Sequence, residues 1–179
     1  MRPESTDHPT ALLITGTVGA GKTSVAAAVG SILAEARIPH AVIDLDDLTQ
    51  SWPAPPDDPY NFTMELRNLE SLARNYLSVG ACRLVVSGVV ETTAARARYR
   101  VALGVELSVC RLRADLAELH RRLRIRHAGA DSEMRWHLDR AGQLDQILDQ
   151  SAVDDFEVIS DGRPLTDIAA DVLTRAGWL

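Results

Sequence analysis

Lysine is nearly absent from this chain. Eighteen of its 19 basic residues are arginine, and the single lysine, Lys22, sits in the stretch GTVGAGKT at 16–23. Codon bias accounts for an excess of arginine. It does not account for one lysine kept inside a glycine-rich turn. Cysteine is scarce as well. Cys82 and Cys110 lie in or beside apolar runs and form no CxxC pair, which points to reduced, buried thiols and excludes a zinc-ligand spacing. The five histidines, at 8, 40, 120, 127 and 137, show no metal-ligand spacing either. No apolar run approaches the ~20 residues of a membrane span. The N-terminal MRPESTDHPT is polar and lacks the apolar centre of a signal peptide. Positive charge is in deficit at a net −6, which argues against a nucleic-acid or anionic-membrane surface. These absences describe a cytoplasmic protein with a flexible lead-in over residues 1–9. Residues 10–179 are expected to form one domain, since no long linker or repeat divides them.

What is present alternates. Short apolar runs occur at 11–15, 41–45, 83–90, 105–112 and 156–160. Between them, helical spacing appears at 22–36, 63–79, 92–103, 114–126, 133–150 and 165–177. Uninterrupted apolar strands alternating with helices predict an α/β fold, with a five-stranded, mainly parallel sheet between two helical layers. The segment SWPAPPDDPYN (51–61) carries four of the eight prolines and reads as a stiff loop.

The stretch GTVGAGKT fits G-x-x-x-x-G-K-[ST], follows the first strand and opens the first helix. A polyphosphate needs several donors aimed at one place. Glycines let the backbone approach closely, and successive amides with a helix N-terminus supply those donors. Gly16, Thr17, Val18, Gly19, Ala20, Gly21, Lys22, Thr23 and Ser24 are therefore the expected nucleotide cradle. Lys22 reaches the β- and γ-phosphates and Thr23 offers its hydroxyl to Mg²⁺. A compact ammonium suits this position, where a planar guanidinium fork does not. The bland alternative is a glycine-rich turn that merely caps a helix. A guanine-specific switch is excluded, because its Asn-Lys-x-Asp element needs a second lysine.

The second strand ends in AVIDLDDL. Asp44 and Asp46 lie two apart, on one side of an extended chain, with Asp47 following. Ligands of parallel sheets bind beyond the carboxyl ends of the strands. One carboxylate there can hold Mg²⁺ through water while the other accepts the proton of an attacking hydroxyl. The alternative is a solvated acidic turn.

With these motifs in place, the chain resembles the small P-loop kinases of metabolites. The likeness is to adenylylsulfate kinases, with features of gluconate and shikimate kinases, over most of residues 11–175. The resemblance implies ATP and Mg²⁺ as cofactors and a hydroxyl-bearing small molecule as acceptor. IDLDD is similar to the family's Asp-Gly-Asp element, which implies a substrate or base role for Asp46. Arg67 and Asn68, within FTMELRNLESLARNYLSVGACRLVVS, match a substrate-facing Arg and Asn. Arg96 and Arg100 follow the third strand, where the family carries further arginines. RRLRIRH (121–127) resembles the lid, about 114–135. DGRPLTDIAADVL resembles the segment that helps hold adenine, which implies a nucleotide contact for Arg163.

Other candidates rest on the residues alone. Arg121, Arg122, Arg124 and Arg126 crowd one helix end, where like charges repel unless an anion joins them. Arg122 and Arg126 share a face and are the expected phosphate clamp, against helix-dipole compensation as the alternative. Trp52 and Tyr60 flank the proline loop and either line an acceptor pocket or pin the loop to the core. Arg67 and Arg74 share a helix face and meet an acceptor or water. Glu91 ranks behind Asp46 as a base. Asp44, Asp46, Trp52, Arg67 and Arg96 make up the expected acceptor side. Two other functions stay open: an antibiotic or nucleoside phosphotransferase, and a nucleotide-dependent switch or partner-binding ATPase. Oligomeric state stays open too.

Overall fold

The computed structural model of the chain describes residues 8–126 and 131–179, without the side chains of residues 116, 123–126, 131–139 and 141. Five strands run β1 Thr10–Thr15, β2 His40–Asp44, β3 Arg83–Ser87, β4 Glu106–Arg113 and β5 Phe156–Ile159. The helices are α1 Lys22–Glu35, α2 Phe62–Ser78, α3 Thr93–Leu103, α4 Leu116–Arg126, α5 Asp131–Ser151 and α6 Leu165–Arg175. A short 3-10 turn, Leu45–Thr49, follows β2. The sheet order is β2-β3-β1-β4-β5, and every neighbouring pair is parallel.

Strand alternation sets the layers. Ala11 and Leu13 of β1 face one side with Ile43, Leu84, Val86 and Val109, under Leu69 of α2, Tyr99 and Leu103 of α3, and Leu144 and Leu148 of α5. Leu12 and Ile14 face the other side with Val85, Cys110 and Leu112, under Val25 and Val29 of α1 and Ile168 and Val172 of α6. Full burial of each such leucine or isoleucine stabilises the fold by roughly 2 kcal/mol. Central β1 therefore has no water on either face, which is why residues 11–14 are all apolar. The Cys110 thiol is buried in the second layer, and that burial pushes it up to about 12, so it stays protonated.

The expected third strand, 83–90, stops at Ser87. Beyond it the Gly88 amide donates to the Ile14 carbonyl at 3.2 Å, and the Val90 amide donates to the buried Thr15 hydroxyl at 3.1 Å. This segment bends over the end of β1 because side-chain oxygen replaces the ladder partner. Gly88 is required there: a Cβ would lie 2.4 Å from a Leu45 methyl. The carboxyl ends of β1, β2 and β3 are thus drawn together at one edge of the sheet.

Arg111, on β4, is 2% exposed and holds α5 against the sheet through Asp145 and Asp149, each at 2.8 Å. Losing one partner of a buried ion pair costs several kcal/mol, because the other charge stays desolvated.

Candidate active site

The loop between β1 and α1 has the conformation that its glycines permit. Gly16, at φ +148, passes so close to β4 that a Cβ would sit 2.7 Å from the Leu112 carbonyl oxygen. Gly19 and Gly21 are left-handed, at φ +84 and +93. Thr17, Val18 and Ala20 complete the turn, closed by the Ala20 amide on the Thr17 carbonyl at 3.2 Å. Lys22 folds back over it, its Nζ donating to the same carbonyl at 3.2 Å.

No side chain caps α1, and no acidic residue stands in its first turn, where Lys22, Thr23 and Ser24 lie. The leading N–H groups and the positive end of the helix dipole meet no carboxylate of their own. That is the arrangement a phosphate needs. The cradle therefore fits a nucleotide polyphosphate.

Asp44 joins this loop to β2. The Thr23 hydroxyl donates to Asp44 Oδ2 at 2.8 Å, and Asp44 Oδ1 accepts from the Asp46 amide at 3.0 Å. One carboxylate thereby caps the 3-10 turn and fixes the hydroxyl expected on Mg²⁺. Among the described residues no three His, Cys, Asp or Glu side chains converge as a metal cage. Thr23 beside Asp44 fits a Mg²⁺ that takes its remaining oxygens from phosphate and water.

Asp46 and Asp47 are exposed beyond the strand end. The Asp46 carbonyl accepts from Thr49 Oγ1 at 3.1 Å and Gln50 Nε2 at 3.0 Å, which fixes the backbone that carries its carboxylate. Asn68 does reach this turn, donating to the Leu48 carbonyl at 2.8 Å.

Among the described side chains of α4, Arg122 is the arginine that reaches the loop. Its Nη1 lies 3.5 Å from the Ala20 carbonyl and 3.2 Å from Ser160 Oγ, and its Nη2 donates to the Ser160 carbonyl at 3.0 Å. Glu118 orients it through Nε at 2.8 Å and also pairs with Arg121 at 2.7 Å. Hydrogen bonds from Arg121 and Arg122 hold the Glu118 carboxyl down to about 2. The sequence reading missed Glu118 and Ser160. Glu118 lies three and four residues before the two arginines, the spacing at which helical side chains meet. Ser160, reached through β5, left no such local signal. Arg126 ends α4, and its side chain lies outside the described residues, as does that of Arg124.

Several expected acceptor residues are placed elsewhere. Arg96 donates to the Val153 carbonyl at 2.7 Å and to both Asp155 oxygens at 2.8 Å, and Asp155 also accepts from the Val109 amide. It ties α3 to the approach to β5 and is not brought to Asp46. Arg100 pairs with Glu106, and Arg74 with Glu70. Arg67 lines an open groove of about 420 Å³ between α2 and α3 with Thr63, Leu66, Glu70, Arg98 and Val101.

Trp52 and Tyr60 are 93% and 85% exposed, so neither pins the proline loop. Asn61 does that instead, buried and donating to the Thr49 and Ser51 carbonyls at 3.0 Å. Asp58 caps α2 through the Phe62 and Thr63 amides. Glu91 pairs with Arg140 of α5 and is not free to act as a base. Arg163 braces the turn into α6, bonding the Ile159 carbonyl at 3.0 Å and Asp171 at 2.9 Å.

No family model matches the sequence, and no curated protein matches it. Solved structures do. The tunicamycin resistance protein of Deinococcus radiodurans superposes with a TM-score of 0.66 at 19% identity, covering 96% of this chain and 98% of that one. A shikimate kinase of Acinetobacter baumannii, in complex with shikimate, gives 0.61 at 18% identity over 94% and 93%. The APS kinase of Mycobacterium tuberculosis, in complex with AMPPNP and APS, gives 0.60 at 22% identity over 95% and 98%. A P-loop opening an uncapped helix, a strand-2 aspartate bonded to its threonine and an all-parallel five-stranded sheet thus give this chain the fold of the P-loop small-molecule kinases.

Proposed function

We propose that the chain is a phosphotransferase that moves the γ-phosphoryl of ATP to a hydroxyl of a small molecule, with Mg²⁺. The observation that carries this reading is the Thr23–Asp44 hydrogen bond, which joins an intact phosphate cradle to a second strand bearing a further carboxylate. The uncapped start of α1 and Lys22 bind the β- and γ-phosphates. Thr23 and Asp44 would hold Mg²⁺, which would offset phosphate charge when bound. Asp46 takes the acceptor's proton as the acceptor oxygen bonds to the γ-phosphorus and the bond to the β-bridging oxygen breaks. Arg122, held by Glu118, neutralises charge at the loop, and Arg126 extends the clamp. Arg163, which braces the turn into α6, is assigned to the adenine side. The neighbours named above, kinases of shikimate and APS and a resistance protein, support the reaction class. Their differing substrates leave the acceptor to this chain's own residues.

The test is transfer from ATP to a broad panel of metabolites, nucleosides and antibiotics, with mass detection of the product. A product heavier by one phosphoryl group, lost in Lys22→Arg, is expected. ATP hydrolysis that no small acceptor changes would sink the reading and favour a switch or partner-binding ATPase.

A further inference from the structure

Buried hydroxyls near the carboxyl ends of the strands are answered by partners, with one exception. Thr15 Oγ1 accepts from the Val90 amide, Ser160 Oγ accepts from Arg122, and the Tyr99 hydroxyl donates to Glu65 Oε1. Ser87, the last residue of β3, is the exception. It is 1% exposed, and its Oγ has no hydrogen-bond partner among the described residues. The other such hydroxyl, that of Thr10, begins β1 at the opposite end of the sheet.

Strand alternation places the Ser87 side chain. Leu84 and Val86 face the layer of α2, α3 and α5, and Val85 faces α1 and α6. Ser87 is therefore on the α1 side. In β2, Ala41 and Ile43 face the first layer, so Asp44 is also on the α1 side, where Thr23 meets it. The register pairs Ser87 with Asp44 on one flank and with Ile14 on the other. Asp44, Ser87 and Ile14 thus form one row across the sheet, beneath the start of α1. Neighbouring strands lie about 4.8 Å apart, so the Ser87 hydroxyl stands one strand inward from the carboxylate that holds Thr23.

A hydroxyl shut away from water and left unpaired costs free energy that alanine at the same place would not. Packing alone therefore gives no reason for serine here. The chemistry of the row does. Its neighbours are the two groups expected on Mg²⁺, and Mg²⁺ keeps several waters when it binds beside one carboxylate and a phosphate chain. A metal-bound water donates hydrogen bonds, and an unpaired serine oxygen accepts one.

We infer that Ser87 is a third protein oxygen of the Mg²⁺ position, its Oγ accepting a hydrogen bond from a water of the ion's shell. The inference rests on the phosphotransferase reading and deepens it. Ser87 is a positioning residue that acts through the metal, at the carboxyl end of β3.

The experiment titrates Mg²⁺ into the full chain at fixed AMPPNP and reads nucleotide binding by calorimetry. In Ser87→Ala the Mg²⁺ concentration at half-saturation should rise about tenfold, the lower end of what loss of an outer-shell partner costs. Thermal unfolding of that variant without ligand should equal or exceed the parent value, since an unpaired hydroxyl is removed. Ser87→Cys fills nearly the same space with a weak acceptor and should move the Mg²⁺ midpoint in the same direction. An unchanged midpoint in Ser87→Ala overturns the inference. So does a shift in Ser87→Ala with none in Ser87→Cys, which assigns the effect to lost volume. Lower thermal stability of ligand-free Ser87→Ala with an unmoved midpoint overturns it too, and makes the hydroxyl structural. AMPPNP binding that Mg²⁺ does not strengthen in the parent would instead bring down the phosphotransferase reading, and this inference with it.

Discussion

The two halves of the site were built by different rules. The donor half is one contiguous stretch. Its glycines, its lysine and its threonine act through backbone geometry and a single helix start, and each occupies the position that its spacing implies. The proposed acceptor half draws on β2, the proline loop, α2 and α3. There a side chain's role depends on which partner another element presents. Arginines that are adjacent in sequence to the right region turn out to be ties between elements. A guanidinium is thus a weak functional signal in a chain that uses it for nearly every positive charge. The lone lysine is a strong one.

The largest effect should come from the donor half. Lys22→Arg is expected to lower transfer by about 10³-fold, by displacing a preorganised cation from the phosphates. Its thermal unfolding should stay at the parent value, because Lys22 is only part-buried, at the first position of α1. Wild-type turnover in this variant would end the distinction between the halves. Asp46→Asn comes next. Loss of a general base costs roughly 10²–10⁴ in kcat, with ATP affinity kept, and steady-state kinetics separates the two.

Arg96→Ala tests the comparison from the other side. Removing a charged group's hydrogen bonds to Asp155 and Val153 should cost about 2 kcal/mol of stability, seen in urea unfolding, while kcat per folded molecule stays the same. A selective fall in kcat would return Arg96 to the acceptor site. The smallest effect concerns acid. Hydrogen bonds from Arg175 and then Arg163 hold the Asp171 carboxyl below its usual 3.8. A depressed carboxylate stabilises the fold fully above its unfolded value and loses that contribution as pH falls through the folded one. Stability should therefore drop faster below pH 4 in the parent than in Asp171→Asn, as followed by unfolding at stepped pH.

The fold was largely legible because buried strands announce themselves. ALLIT and RLVVS are buried on both faces, as strands in the middle of a parallel sheet must be, whereas AVIDL forms the edge strand β2 and leaves Val42 exposed. The errors fell at the ends. The third strand stops three residues early, since the Thr15 hydroxyl takes the Val90 amide, and no periodicity encodes such a bond. Within the site, Asp44 was legible because it stands at the carboxyl end of β2, the same end of the sheet at which β1 opens into the loop and helix start that carry Thr23. Glu65 and Tyr99, 34 residues apart, were not legible, since their pairing depends on how α2 lies on α3. Trp52 and Tyr60 marked the proline loop, but its anchor is the less conspicuous Asn61.

Asp44 touches both halves, with one oxygen on Thr23 and the other on the amide of Asp46. A single rigid carboxylate cannot answer a change at one oxygen without altering the bond at the other. In the language of linkage, a metal–nucleotide and an acceptor bound as proposed would share a coupling free energy, each changing the other's affinity by the same factor. On the proposed reading, the two substrates would be, through one side chain, each other's effectors.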